Sequence, residues 1–213
     1  GTRTGLTAGK YDTRAGHRLA IGDPRVCETP TPGREKRYAL VLVLDRSGSM
    51  RNGDPAKIEV ATQAVARLAV AAEGLGIRVA IVDFVDGQAR LAKPFTVETR
   101  HVQTTLLDTS CGGGTPLAEA IGLARTVVDP QRDEPLIITV TDDRPSDVEA
   151  VKHELQDSYA PVCSLTVATD CEPGTLAPDA STLAPYYERQ VAVYNVDAID
   201  DRLDQFASLL TGL

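Results

Sequence analysis

Apolar runs of strand length alternate with amphipathic helical stretches along this sequence. That alternation predicts an α/β fold: a Rossmann-like, doubly wound sheet with helices on both faces. Two further observations sharpen the expectation. Residues 38–44 are apolar throughout, as a strand covered on both faces requires. Asp86 and Gly87 form a tight hairpin signal, so residues 88–94 should return as a short antiparallel edge strand beside 77–85. The expected sheet is six-stranded and mainly parallel, from 38–44, 77–85, 88–94, 135–141, 162–168 and 191–196.

Residues 1–37 show no strong periodicity, and the Thr/Pro/Gly run at 29–33 reads as a linker or loop, so 1–37 is assigned as a basic extension and 38–213 as the domain. Asp54 followed by Pro55 reads as a helix N-cap with Pro at the first helical position. The helix behind it places Ile58, Ala61, Thr62, Val65, Leu68, Ala69 and Ala72 on one face, and Gly74 and Gly76 end it. A short helix is expected at 99–107. Thr115 and Pro116 repeat the cap signature, ahead of a face made by Leu117, Ala120, Ile121, Ala124, Val127 and Val128. A helix at 146–158 follows the strand 135–141. The Pro- and Gly-rich stretch 170–185 reads as a connection. The closing helix, 198–210, carries Ile199, Leu203, Phe206 and Leu210 on one stripe.

Composition limits the function classes. With 42% hydrophobic residues but only 4% aromatic and no Trp, the core must be built from Val, Leu, Ile and Ala. The net charge of −8 hides an asymmetry: residues 1–37 hold eight Lys/Arg against four Asp/Glu, whereas the remainder holds 14 against 26. An acidic body argues against nucleic-acid binding, and the basic lead-in suits docking on an acidic surface or a solvated tail. No apolar run approaches the ~20 residues that cross a bilayer. Cys27, Cys111, Cys163 and Cys171 show neither a zinc spacing nor a Cys-x-x-Cys pair, and Cys163 lies in an apolar strand, which points to a reducing cytoplasm. The chain opens on Gly1 with no apolar leader, as expected of a trimmed or processed chain. There is no Gly-x-x-x-x-Gly-Lys-Ser/Thr phosphate loop and no Gly-x-Ser-x-Gly elbow. The three histidines are scattered, with His153 on a polar helical stretch expected at the surface.

The chemistry gathers at strand ends. Asp45, Ser47 and Ser49 follow the first strand at alternate positions. Thr115 lies in a glycine loop, and Asp142 follows the strand 135–141. Oxygen-only groups of this kind favour Mg²⁺, Mn²⁺ or Ca²⁺ over softer metals. In doubly wound sheets ligands bind beyond the carboxyl ends of the strands, where Asp45 and Asp142 stand. Each piece alone could be a plain turn or a capped helix start; it is their order on one alternating pattern that suggests a site.

Residues 38–211 resemble the von Willebrand factor A domain family, whose metal-ion-dependent adhesion site uses Asp-x-Ser-x-Ser, a Thr in a Gly-rich loop and an Asp after the next central strand. The matching positions are Asp45, Ser47, Ser49, Thr115 and Asp142. The resemblance implies that the two serines and Thr115 touch the metal directly and that both aspartates act largely through water. Such an ion is short of anionic ligands and suited to gripping a carboxylate from another molecule. Asp143 departs from the pattern, since Gly often stands there; an extra carboxylate on the rim would either supplement the site or repel acidic partners. Residues 5–26 are similar to the segment before the A domain in cobalt-chelatase-type subunits and in nitric oxide reductase activators, which work with AAA+ ATPases.

These readings lead to a non-catalytic, Mg²⁺-dependent interaction module, cytoplasmic and chelatase-like, gripping an Asp or Glu carboxylate on a protein partner such as an AAA+ ATPase. A metal-dependent phosphoesterase using the Asp45 cluster is a second expectation, with Arg46 and Arg144 as the nearby cations. An extracellular adhesion domain and a purely structural metal are the other two.

Overall fold

The computed structural model describes residues 2–6, 10–11, 27–30, 37–130, 132–195, 197 and 199. The chain divides into two compact units at Lys36–Arg37. In the first, strands β1 (Thr2–Leu6), β2 (Lys10–Tyr11) and β3 (Cys27–Pro30) form an antiparallel sheet in the order β1-β3-β2. Strands therefore occur where the sequence shows no strong periodicity, and Thr29 and Pro30, expected in a loop, end one of them. Pro30 is tolerated because a residue without an N–H can occupy a strand end.

The second unit contains the expected six-stranded sheet. Its strands are β4 (Arg37–Asp45), β5 (Arg78–Val85), β6 (Gln88–Lys93), β7 (Asp133–Thr141), β8 (Val162–Val167) and β9 (Arg189–Val193), in the order β6-β5-β4-β7-β8-β9. All neighbours are parallel except β5 and β6, which Asp86 and Gly87 join with φ of 53° and 77°. Positive φ at both central residues matches the right-handed twist of a hairpin.

Helices cover both faces: α1 (Lys57–Gly74), α2 (Gln103–Leu106), α3 (Leu117–Val127), α4 (Val148–Gln156) and α5 (Pro178–Leu183). Strand β4 shows why its sequence is apolar without a break. Leu40, Leu42 and Leu44 pack with the face of α1, whereas Val41 and Val43 pack with α3 and α4. All five are at most 1% exposed, and each contributes about 1.5–3 kcal/mol through burial. The seven residues expected on the buried face of α1 are all in the core.

Four local expectations change. Helix α1 starts at Lys57, not after Asp54: the Lys57 N–H donates to the Asn52 carbonyl at 3.0 Å, and Asp54 caps nothing. The cap of α3 falls on Pro116, because the backbone of Thr115 is committed to Ser146. Helix α4 starts at Val148, where the Asp147 side chain accepts from the Ala150 N–H at 2.9 Å. The connection 170–185 holds α5, a single turn-and-a-half begun by Pro178 that is too short to show periodicity. Of the closing helix, Ile199 is helical and buried; the rest of 198–210 lies outside the described residues.

A polar clamp fixes the edge. Lys93, at the end of β6, is 1% exposed and donates to the Val79 carbonyl at 2.6 Å while pairing with Glu73 of α1 at 2.9 Å. Glu73 also accepts from the N–H and hydroxyl of Thr99. Partial burial pushes the Glu73 carboxyl up, but Lys93 and Thr99 outweigh it, and its pKa lies below the ordinary 4.5. A depressed acid contributes stability above its unfolded pKa and loses it as pH falls through the folded one. Glu73→Gln should therefore cost about 1–3 kcal/mol at pH 7. In urea unfolding series, the gap from wild type should close as pH drops below 4.5.

Candidate metal centre

β4 and β7 lie side by side at the point where the chain winds outward in both directions, so their carboxyl ends open a crevice. The register pairs Leu44 with Val140, which sets Asp45 beside Thr141. Asp45 is fully buried. Its Oδ1 accepts from the Ser47 N–H at 2.7 Å and its Oδ2 from the Thr141 hydroxyl at 2.6 Å. Burial and then the charge of Asp142 push the Asp45 carboxyl up to about 6, against the pull of those hydrogen bonds. Asp45 thus shapes its own loop. The chain turns into a short 3-10 segment, Gly48–Arg51, which leaves the Ser47 and Ser49 hydroxyl oxygens 3.0 Å apart.

Backbone bonds bring the glycine loop alongside. The Gly48 N–H donates to the Gly113 carbonyl at 3.1 Å, and the Gly112 N–H donates to the Arg46 carbonyl at 2.8 Å. The Arg51 guanidinium donates to the Cys111 carbonyl. Gly113 is required twice over. Its φ is 76°, and a Cβ there would fall 2.5 Å from the Cα of Asp86. Thr115, 6% exposed, is held by a reciprocal pair: its N–H donates to the Ser146 hydroxyl at 3.0 Å, and the Ser146 N–H donates to its carbonyl at 3.1 Å. Its hydroxyl is not spent as a helix cap. The segments carrying Ser47 and Ser49, Thr115, and Asp142 are therefore stitched together, the last two through Ser146.

Asp142 is 2% exposed and only half satisfied. Its Oδ2 accepts from the Lys57 ammonium at 2.9 Å, and its buried Oδ1 has no hydrogen-bond partner. An unpaired buried carboxylate oxygen costs free energy unless something supplies positive charge or a proton donor. Among the described residues no group of three or more His, Cys, Asp and Glu is placed to hold a metal. A cation here would draw on the hydroxyls of Ser47, Ser49 and Thr115 together with Asp45 and Asp142. That donor set, with its orphaned oxygen, fits a hard, oxygen-seeking ion.

Lys57 escaped the sequence reading. It is wholly buried, and its ammonium meets both Asp142 and Asp170, the latter at 2.8 Å. As the first residue of α1 it puts positive charge where the helix dipole favours negative charge. That mismatch was the available signal. Arg144 approaches from the surface, 3.0 Å from Asp170 and 4.0 Å from Asp142.

Two expectations are corrected. Asp143 is not on the rim: it is fully buried, with φ of 51°, and its carboxylate meets β8, β9 and the 184–187 turn. Its Oδ2 accepts from the Ser164 hydroxyl at 2.8 Å, the Thr166 hydroxyl at 2.6 Å and the Gln190 amide at 3.0 Å, and its Oδ1 from the Tyr187 hydroxyl at 2.8 Å. Burial raises its pKa against those donors. Arg46 is likewise no free cation. It is 4% exposed, paired with Asp83 at 3.1 Å, and donates to the carbonyls of Thr105, Leu106 and Asp108 at the end of α2. Cys163 and His153 sit as expected, in the core and at the surface. Removing the Asp143 acceptor strands four donors, so Asp143→Ala should lower stability in denaturant unfolding by about 3 kcal/mol or more. Asp143→Asn, which keeps one acceptor oxygen, should lose less.

Comparison with known proteins bears on the fold. The sequence profile of the von Willebrand factor type A domain matches residues 40–144. No curated protein sequence matches the chain. Among solved structures, the conserved hypothetical protein BatB from Bacteroides thetaiotaomicron is similar at 20% identity and a TM-score of 0.61, over 83% of this chain and 100% of that one. The pilus adhesin SpaC from Lactobacillus rhamnosus GG is similar at 14% identity and a TM-score of 0.66, over 81% of this chain but 30% of its own. A von Willebrand factor type A protein from Catenulispora acidiphila gives 15% identity and a TM-score of 0.61, over 80% and 42%. At these identities the likeness concerns the fold. The profile match over residues 40–144 and the six-stranded, mainly parallel sheet agree on the α/β fold of von Willebrand factor type A domains.

Proposed function

We propose that this domain is a metal-dependent interaction module that captures an acidic side chain of a protein partner. The observation that carries the reading is the half-satisfied Asp142, whose buried Oδ1 lacks a partner beside loops bearing three hydroxyls. Ser47, Ser49 and Thr115 would hold Mg²⁺, or Mn²⁺ or Ca²⁺, directly, and Asp45 and Asp142 through water. When bound, the ion supplies a Lewis-acidic position open to an outside carboxylate oxygen. Everything else is done by the chain. Thr141 fixes Asp45, Asp45 holds the serine loop through the Ser47 N–H, and the Gly48–Gly113 bond holds the glycine loop against it.

Capture is favoured over phosphoester hydrolysis because the cations that a phosphoryl group would need are committed. Arg46 holds Asp83 and the end of α2, and Arg144 holds Asp170. The free thiols of Cys111, Cys163 and Cys171 suit a reducing cytoplasm, and the similarity of residues 5–26 to chelatase-type chains favours an AAA+ ATPase as partner.

Affinity capture from the native cell should yield a partner in Mg²⁺ that EDTA releases. Asp45→Ala and Thr115→Ala should each weaken capture about tenfold or more. Binding that persists in EDTA, or that survives both substitutions, would sink the reading.

A further inference from the structure

We propose that Lys57 is a resident cation of this site, which lowers its intrinsic affinity for divalent ions and leaves a charge deficit that a partner carboxylate fills. The inference rests on the metal-dependent reading above and assigns a regulator to it. Three costs meet at this one residue. Its ammonium is entirely withdrawn from water, it stands at the unfavourable end of the α1 dipole, and lysine is among the residues least often buried. A residue serving only to fill space between α1 and the loops would not need that charge.

The geometry says what the charge does. Lys57 Nζ lies 2.9 Å from Asp142 Oδ2 and 2.8 Å from Asp170 Oδ2, so it bridges the two carboxylates. Asp142 is the site aspartate whose other oxygen is unpartnered. Any ion that uses Asp142, directly or through water, meets a carboxylate half neutralised and a fixed positive charge behind it. In a buried setting that repulsion is only weakly screened. Asp170 is the counterweight. It divides the hold on Lys57 with Asp142, and Arg144 steadies it from the surface at 3.0 Å. An incoming carboxylate adds the negative charge that Lys57 cancels, so ion and partner should bind with mutual gain.

The two sides of the bridge predict opposite effects. Titration calorimetry with Mg²⁺ alone, and with Mn²⁺ as a second probe, should be run on wild type, Lys57→Met, Asp170→Asn and Asp45→Ala. Thermal melts in EDTA would establish that each is folded. Lys57→Met should bind the ion about tenfold tighter or more. Asp170→Asn, which leaves Lys57 leaning on Asp142 alone, should bind it more weakly. A purely structural lysine would weaken binding in both variants. A folded Lys57→Met that binds no tighter than wild type overturns the proposal while leaving the metal reading intact. If Lys57→Met does not fold, Lys57→Gln, which keeps a hydrogen-bond donor without the charge, decides: tighter binding supports the proposal, and unchanged or weaker binding overturns it. If wild type and Lys57→Met are both as silent as Asp45→Ala, the metal reading fails and takes this proposal with it.

Discussion

Three carboxylates, Asp45, Asp142 and Asp143, are withdrawn from water at the adjoining ends of β4 and β7. A buried carboxylate is tolerated only if donors or charge replace its hydration, and much of the local architecture follows from meeting that demand three times at these strand ends. Asp45 is met by its own loop and by Thr141, which bends the chain into the serine turn. Asp143 is met by four neutral donors from β8, β9 and the 184–187 turn, which draws those elements together. Asp142 alone is met by a cation, and only on one side. The three solutions give three roles. One carboxylate shapes a loop, one ties up the far half of the sheet, and one is left with capacity to spare.

The contrast between Asp142 and Asp143 shows how much a single backbone angle decides. The two are neighbours in sequence, yet the positive φ of Asp143 sends its side chain into the interior, away from the site its neighbour faces. Consecutive acids at a strand end look alike when read as letters. What distinguishes them is where Ser164, Thr166, Tyr187 and Gln190 arrive, up to 47 residues later in the chain.

The sheet was legible because its signals are local and redundant. Strand β4 is apolar at every buried position from Ala39 to Leu44, α1 repeats its buried face over five turns, and Asp86-Gly87 encodes a hairpin in two letters. The proposed metal residues were legible as an ordered pattern along the chain. What the sequence concealed are side chains whose roles come from partners far away. Lys57 meets residues 85 and 113 positions on, and Arg46 meets Asp83 and the end of α2. Arg46 read only as a cation near the site and Lys57 drew no reading, because periodicity carries no information about where a long side chain ends. The caps failed for a related reason. Asp54 and Thr115 have the right chemistry one to three residues early, but loop contacts from Asn52 and Ser146 set where α1 and α3 begin.

The close approach of Gly113 to Asp86 has a practical consequence for engineering the domain. The tip of the β5–β6 hairpin looks, by exposure and turn type, like a natural place for an inserted tag or fluorophore. Its backbone, however, is packed directly on the loop that leads to Thr115, and the Asp86 N–H is bonded to the Gly112 carbonyl at 3.2 Å. A graft there would be felt at the crevice. The turn after α1 is the better attachment point: a Cβ built on Gly74 or Gly76 meets no atom within 4 Å, although the positive φ of Gly76 makes Gly74 the easier of the two to replace.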